Sequence, residues 1–257
     1  KLLDEGTEDL EGLADTLKKL GIKVYRPEKI DNMKEFSTPE WTTHGWTQFS
    51  PRDLLLPLDN LIIETPSPMR SRYFETRAYY PYLYDQMKDG TEWISAPKPI
   101  LTDDNYQLGT PDDVTLTNKE IVFDAPNMVR MGRDILAQIS NSGNHLGFQW
   151  LKTILEPRGY RIHIAEKFYS YSHFDSTILP LRPGLVLFNS DRLSPDRYPE
   201  IFNVIALNEG LHADLRDKFT KISIDRVSSN VRLFRNNPQN TKKLIQLSKK
   251  VSDLRAI

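Results

Sequence analysis

The chain has 257 residues, 39% of them hydrophobic and 27% charged, which suits a globular protein of one large or two small domains and excludes a disordered one. Its 34 Lys and Arg nearly balance 35 Asp and Glu, and the net charge of −1 gives bulk electrostatics no reason to favour nucleic acid. No apolar run approaches the roughly 18 residues of a spanning helix and no signal-peptide pattern opens the chain, so the expected compartment is the cytoplasm.

In chain order, residues 7–20 carry Leu10, Leu13, Leu17 and Leu20 at helical spacing, with Gly21 placed to cap the end and a short strand expected over 22–25. The apolar run 54–63, broken by Pro57 and Asp59-Asn60, reads as two strands around a turn. Residues 71–87, rich in Tyr and Arg, read as a helix, and the polar stretch 101–118 as a long loop over a site. A strand over 120–123 leads into Asp124, helices are expected over 127–140 and 144–155, and Gly159 with 160–164 repeats the order helix, glycine, strand. Residues 177–181 and 185–188 form a hairpin around Arg182-Pro183-Gly184. The class is therefore α/β with recurring modules, although no sequence-level repeat is visible. Beyond Phe202 the texture changes to short mixed segments, ending in a basic amphipathic tail over 241–257.

His173-Phe-Asp175 is the most informative motif. In an alternating strand, residues i and i+2 share a face, so an imidazole fit for proton transfer and a carboxylate can point into one cavity. That cavity wants a cationic, proton-exchanging ligand. Asp53, at a strand entrance, either accepts loop amide hydrogen bonds or binds a cation. Asp124, at the end of a strand, is either a site residue or an ordinary helix N-cap. Arg130, Arg133 and Asp134 read as ion-pairing residues on a helix, Phe148 and Trp150 as core aromatics, and His145 and His163 as structural histidines. His173 and Asp175 also match half of an iron site with His212 as the distal ligand, the competing metal reading. Zero cysteines exclude disulfides, thiolate metal sites and a cysteine nucleophile within these residues.

Eight ordered segments resemble the glycine amidinotransferase family: Pro51-Arg-Asp-Leu-Leu55, Asn60-Leu-Ile-Ile-Glu-Thr-Pro66, Arg70-Ser-Arg-Tyr-Phe-Glu-Thr-Arg-Ala-Tyr79, Ala96-Pro-Lys-Pro99, Phe123-Asp-Ala125, Arg130-Met-Gly-Arg-Asp-Ile-Leu-Ala-Gln138, His173-Phe-Asp-Ser-Thr177 and Asn189-Ser-Asp-Arg192. The resemblance covers residues 2–202. It implies a pentein fold, a pseudo-fivefold α/β propeller around a polar channel, incomplete in this chain. It also implies an amidinotransferase in which a cysteine thiolate attacks the guanidinium carbon of arginine, ornithine leaves, and a second, glycine-like amine resolves the amidino-cysteine. No metal or organic cofactor is implied.

Position by position, the resemblance makes Asp124 and His173 the acid and histidine of proton transfer. Asp53 and Asp175 become the carboxylates that grip the guanidinium, and Arg192 the holder of the substrate carboxylate. The alternatives are a deiminase-like guanidine hydrolase and a non-catalytic guanidinium-binding protein. Nothing here matches the family's cysteine or its opening module, and residues 203–257 form a divergent segment, so a fragment or a replaced C-terminal end is expected, inactive as it stands. The expected partners are small molecules, arginine and an amine acceptor, together with a second copy of the chain in a homodimer, and neither nucleic acid nor membrane.

Overall fold

A computed structural model describes residues 2–31, 33–46, 50–109, 113–166, 173–182 and 185–188. The chain divides into two units, Lys1–Leu179 and Pro180–Ile257. Helix α1, Leu2–Lys19, starts earlier than its leucine spacing predicts, with Asp4 and Glu5 in its first turn and Lys18 and Lys19 in its last, the charge order that complements the helix dipole. Gly21, at φ +79, caps it, and the Ile22 amide returns to the Leu17 carbonyl at 3.0 Å. The strand expected over 22–25 does not form; this segment runs as irregular backbone, and Tyr25 packs its ring on Tyr82, 4.7 Å between centroids. Strands β1 (Glu35–Ser37) and β2 (Thr42–His44) form a small antiparallel hairpin.

Two modules follow, each a hairpin, a helix and a strand returning parallel to the hairpin's second strand. In the first, β3 (Leu55–Leu58) pairs antiparallel with β4 (Leu61–Glu64), and Leu58 opposite Leu61 leaves a two-residue turn in which Asp59 takes φ +52. Pro57 is tolerated because β3 is the sheet's edge strand. Helix α2 (Tyr80–Lys88) and Gly90, at φ +95, lead to β5 (Glu92–Ser95), parallel to β4. The helix expected over 71–87 is shorter than predicted. Arg70–Arg72 and Glu75–Tyr79 are 3-10 turns, and Pro81, which lacks an amide donor, sits in the first turn of α2, where that donor is not needed.

The second module corrects the helix expected over 127–140. Those residues form β6 (Met128–Met131) and β7 (Asp134–Gln138), antiparallel, with Met131 opposite Asp134 and Gly132 turning the chain at φ +67. A short apolar run does not distinguish a buried strand from a buried helix by periodicity, and the left-handed glycine decides for the hairpin. Helix α3 (His145–Leu155) is capped by Asn144, whose side chain accepts the Gly147 amide at 2.8 Å. Gly159, at φ +81, precedes β8 (Arg161–Ala165), parallel to β7. The modules thus share one plan, antiparallel then parallel around a central strand, which is the repeat the sequence does not display.

Their inner faces meet in one core in which Leu58, Leu61 and Ile63 pack with Ile135, Phe148, Leu151 and Ile162. Phe148 is fully buried and Trp150 half-buried, stacked on Phe123. A smaller cluster joins Trp41, Leu101, Leu116 and Val122. The stretch read as a loop contributes Leu101 and Leu116 to this cluster, and the Glu120 carboxylate accepts the amides of Ile100 and Leu101 at 2.7 and 2.8 Å. The strand expected over 120–123 reduces to a bridge between Phe123 and Gly143. Finally, β9 (Ile178–Arg182) and β10 (Leu185–Phe188) form the two-stranded sheet that the Pro-Gly turn predicts. Among the described residues no helix is long and apolar enough to cross a membrane.

Candidate active site

Each module is approached through a 3-10 turn that carries a buried aspartate at one end. Pro51–Asp53 precedes β3 and ends on Asp53; Ala125–Asn127 precedes β6 and starts from Asp124. The two turns pack against each other, which brings the two acids into one place. Asp53 is 5% exposed and Asp124 1%.

Asp124 is not a working N-cap: its side chain makes no capping bond, and its Oδ2 instead lies 3.1 Å from His173 Nε2. The histidine is held there by the turn after it. The amides of Phe174 and Asp175 both donate to the Pro126 carbonyl at 3.0 Å, and the Phe174 ring is fully buried, so the segment is pinned beside the turn that carries Asp124. That turn is fixed from beneath by a buried polar network. Asn127 Nδ2 donates to the Gln138 carbonyl at 2.5 Å, Ser140 Oγ donates to Asn127 Oδ1 at 3.0 Å, and the Asp124 amide donates to the Ser142 carbonyl at 2.7 Å.

Asp53 accepts a guanidinium, not loop amides. Arg72 Nη1 donates to its Oδ2 at 2.7 Å, while Arg72 Nε and Nη2 fork onto Glu75 at 2.7 and 3.0 Å. Arg72 and Glu75 are each 4% exposed. Burial would lower the Arg72 pKa, but the hydrogen bonds to Glu75 and Asp53 outweigh it and raise it above the ordinary arginine value. Burial pushes Glu75 up against the pull of Arg72, with the charges of Asp53 and Asp124 adding to the rise. Three carboxylates therefore crowd one guanidinium. Asp53 Oδ1 and Asp124 Oδ1 are buried without a hydrogen-bond partner among the described residues. Unpaired buried carboxylate oxygens carry a desolvation cost that an incoming fork of N–H donors would relieve.

Of the residues singled out by sequence, Asp53, Asp124, His173 and Asp175 are brought into one region, with Asp175 paired to Arg52. Arg192 and His212 lie outside the described residues. Arg130 and Arg133 pair with Asp59 at 2.7 and 2.8 Å, and Asp134 with Arg161 at 2.5 Å, between elements as expected but from a hairpin. His145 and His163 pair with Glu166 and Asp134 at 3.0 and 2.8 Å. Sequence reasoning missed Arg72, Glu75 and Arg52. The available signal was an Arg and a Glu three residues apart in an aromatic-rich stretch.

Paired ββαβ modules with acids at the turns that open them define an α/β protein of the pentein propeller class. The chain is 44% identical over 200 residues to inosamine-phosphate amidinotransferase 1 of Streptomyces griseus, covering 78% of this chain and 57% of that protein. It is 38% identical over 202 residues to the mitochondrial glycine amidinotransferase of Xenopus tropicalis, covering 73% and 48%. The solved structure of the Streptomyces griseus inosamine-phosphate amidinotransferase superposes with a TM-score of 0.72 at 45% identity, over 76% of this chain and 56% of that one. No protein-family model matches the chain. The chain belongs to the amidinotransferase family, and it spans about half the length of the relatives it matches.

Proposed function

We propose that the protein represented by this chain moves an amidino group from arginine to an acceptor amine. The observation that carries the reading is the pair of buried oxygens on Asp53 and Asp124 that lack a hydrogen-bond partner among the described residues, beside an imidazole, in a cluster with more carboxylates than cations. In this reading Asp53 and Asp175 accept the N–H donors of the substrate guanidinium. His173, oriented by Asp124, delivers a proton to the departing amine and takes one from the incoming amine. Arg192 holds the donor's carboxylate. The covalent step requires a thiolate, which attacks the guanidinium carbon, expels ornithine once its nitrogen is protonated, and is released when the second amine takes the amidino group. The 257 residues contain no cysteine, so by themselves they bind arginine without becoming labelled. The acceptor is a glycine-like amine or an inosamine phosphate, the two named among the relatives above.

Calorimetric titration of the 257-residue chain with arginine tests the reading. Binding that Asp53→Asn weakens is expected, with no covalent label from guanidino-labelled arginine. Absence of arginine binding by the folded chain, or binding indifferent to Asp53, sinks the proposal. A stable adduct would show that another side chain is the nucleophile.

A further inference from the structure

The cluster already holds a guanidinium other than that of Arg72. Arg52 lies between the two acids read as the substrate grip: its Nη1 pairs with Asp175 Oδ2 and stands 3.8 Å from Asp53 Oδ1, the oxygen that has no hydrogen-bond partner. The Arg52 side chain is 61% exposed, whereas that of Asp53 is 7% exposed. Its backbone belongs to the 3-10 turn opened by Pro51, and its exposed side chain leaves room to swing away from the acids. Arg72, which also pairs with Asp53, differs in being buried, forked onto Glu75 and part of the frame.

We propose that Arg52 is a specificity-determining residue, a tethered guanidinium that occupies the place between Asp53 and Asp175 and that a substrate must displace. The inference rests on the reading of these acids as the guanidinium grip. It follows from charge and geometry: two carboxylates aimed at one place take whichever planar cation is near, and a tethered one is always near. Binding is then an exchange of one guanidinium for another. The intrinsic affinity is reduced by the fraction of molecules in which Arg52 has swung out, a reduction that weighs most on ligands with no second point of attachment. A donor with a carboxylate anchored elsewhere overcomes it. A cation that offers nothing beyond its charge does not, which protects the two acids from indiscriminate occupancy.

The sign of one substitution decides the matter. If Arg52 competes, Arg52→Gln tightens arginine binding to the 257-residue chain by about 2- to 5-fold, the scale of losing a solvent-accessible ion pair. Arg52→Lys, which keeps a cation within reach, stays near the parent affinity. If Arg52 instead braces Asp175 for the substrate, Arg52→Gln weakens binding. Asp53→Asn is measured alongside by calorimetry, and thermal unfolding verifies that each variant is folded. Arginine bound through Asp53 with unchanged or weaker affinity in Arg52→Gln overturns the Arg52 proposal and leaves the proposed function standing. Binding that is absent, or indifferent to Asp53→Asn, overturns the proposed function and the role of Arg52 with it.

Discussion

The two ββαβ modules are the same object used twice, and what separates them is the partner each gives to its buried aspartate. Asp53, at the turn before β3, is held by Arg72, a permanent cation locked in place by Glu75. Asp124, at the turn before β6, is held by His173, an imidazole whose charge can change. In the proposed reading, one scaffold position thus serves charge recognition in the first module and proton traffic in the second. The lesson is that the fold supplies the address, and the second side chain supplies the chemistry.

The largest effect should come from breaking the first partnership. Replacing Arg72 by Met leaves Asp53 and Glu75 buried without their cation, and removing one partner of a buried pair costs about 3 to 5 kcal/mol. His173→Gln, at a side chain 21% exposed, should cost less than about 1 kcal/mol of stability. Urea unfolding of both variants measures the contrast. Equal losses would mean that the two aspartates do not differ in how deeply their partners are built into the fold.

A second test exchanges stability for binding. Asp53→Asn should weaken arginine binding by about 1.5 to 3 kcal/mol, the worth of a charge-assisted hydrogen bond. His173→Gln should leave the affinity within a few-fold, because in the proposed reading the imidazole acts on the departing and arriving amines. Calorimetry on the same preparations separates the two. Loss of binding in His173→Gln with retention in Asp53→Asn would reverse the assignment of the modules.

The third test reaches Asp124 through its support. A Cβ added at Gly143 would lie 2.5 Å from Asn127 Nδ2 and 2.7 Å from Phe148 Cζ, contacts that force the turn or the ring to move. Gly143→Ala should therefore cost about 1 to 3 kcal/mol, as overpacking does. The strain falls on the network beneath Asp124 and leaves the Arg72 frame alone. A melting temperature equal to that of the parent would show that the network has slack.

How much of this was legible depended on whether the signal was local. The α3 pattern and the Asn60 and Gly159 turns could be read directly, because caps and turn residues act over a few positions. The β6–β7 hairpin was misread, since Met128-Val-Arg-Met and Asp134-Ile-Leu-Ala-Gln are too short and too apolar to show a period of two. The repeat itself left no sequence trace: Leu55-Leu-Pro-Leu and Met128-Val-Arg-Met share little beyond hydrophobic character, and only backbone pairing reveals them as equivalents. In the site, the His173 and Asp175 motif and the resemblance picked out four of the acids and bases. Arg72 and Glu75 were lost inside a predicted helix, because a buried ion pair looks like a surface i,i+3 pair until its burial is known.

The smallest effect lies at the far end of the parallel pairing, where register makes the modules directly comparable. Asp134 stands opposite Arg161 in the second module, while Leu61 stands opposite Glu92 in the first. Only the second module therefore carries a cross-strand charge pair there, reinforced by His163. The hydrogen bond from Arg161 holds the Asp134 pKa below the usual carboxylate value against partial desolvation, and His163 adds to the lowering. Because folding lowers this pKa, the pair contributes fully above the ordinary carboxylate range, and its contribution disappears as pH falls through the lowered folded value. Asp134→Asn should cost about 0.5 kcal/mol at neutral pH, the modest worth of a largely solvated pair. The difference from the parent should close as both proteins are unfolded at progressively more acidic pH. Glu92→Gln in the first module, which stands opposite Leu61 in register and whose carboxylate pairs with Arg158 at 2.6 Å, has no matching cross-strand partner to lose. A gap for Asp134→Asn that widens in acid would mean that the aspartate is stabilised in its neutral form, and the pairing with Arg161 would then not be what sets its charge.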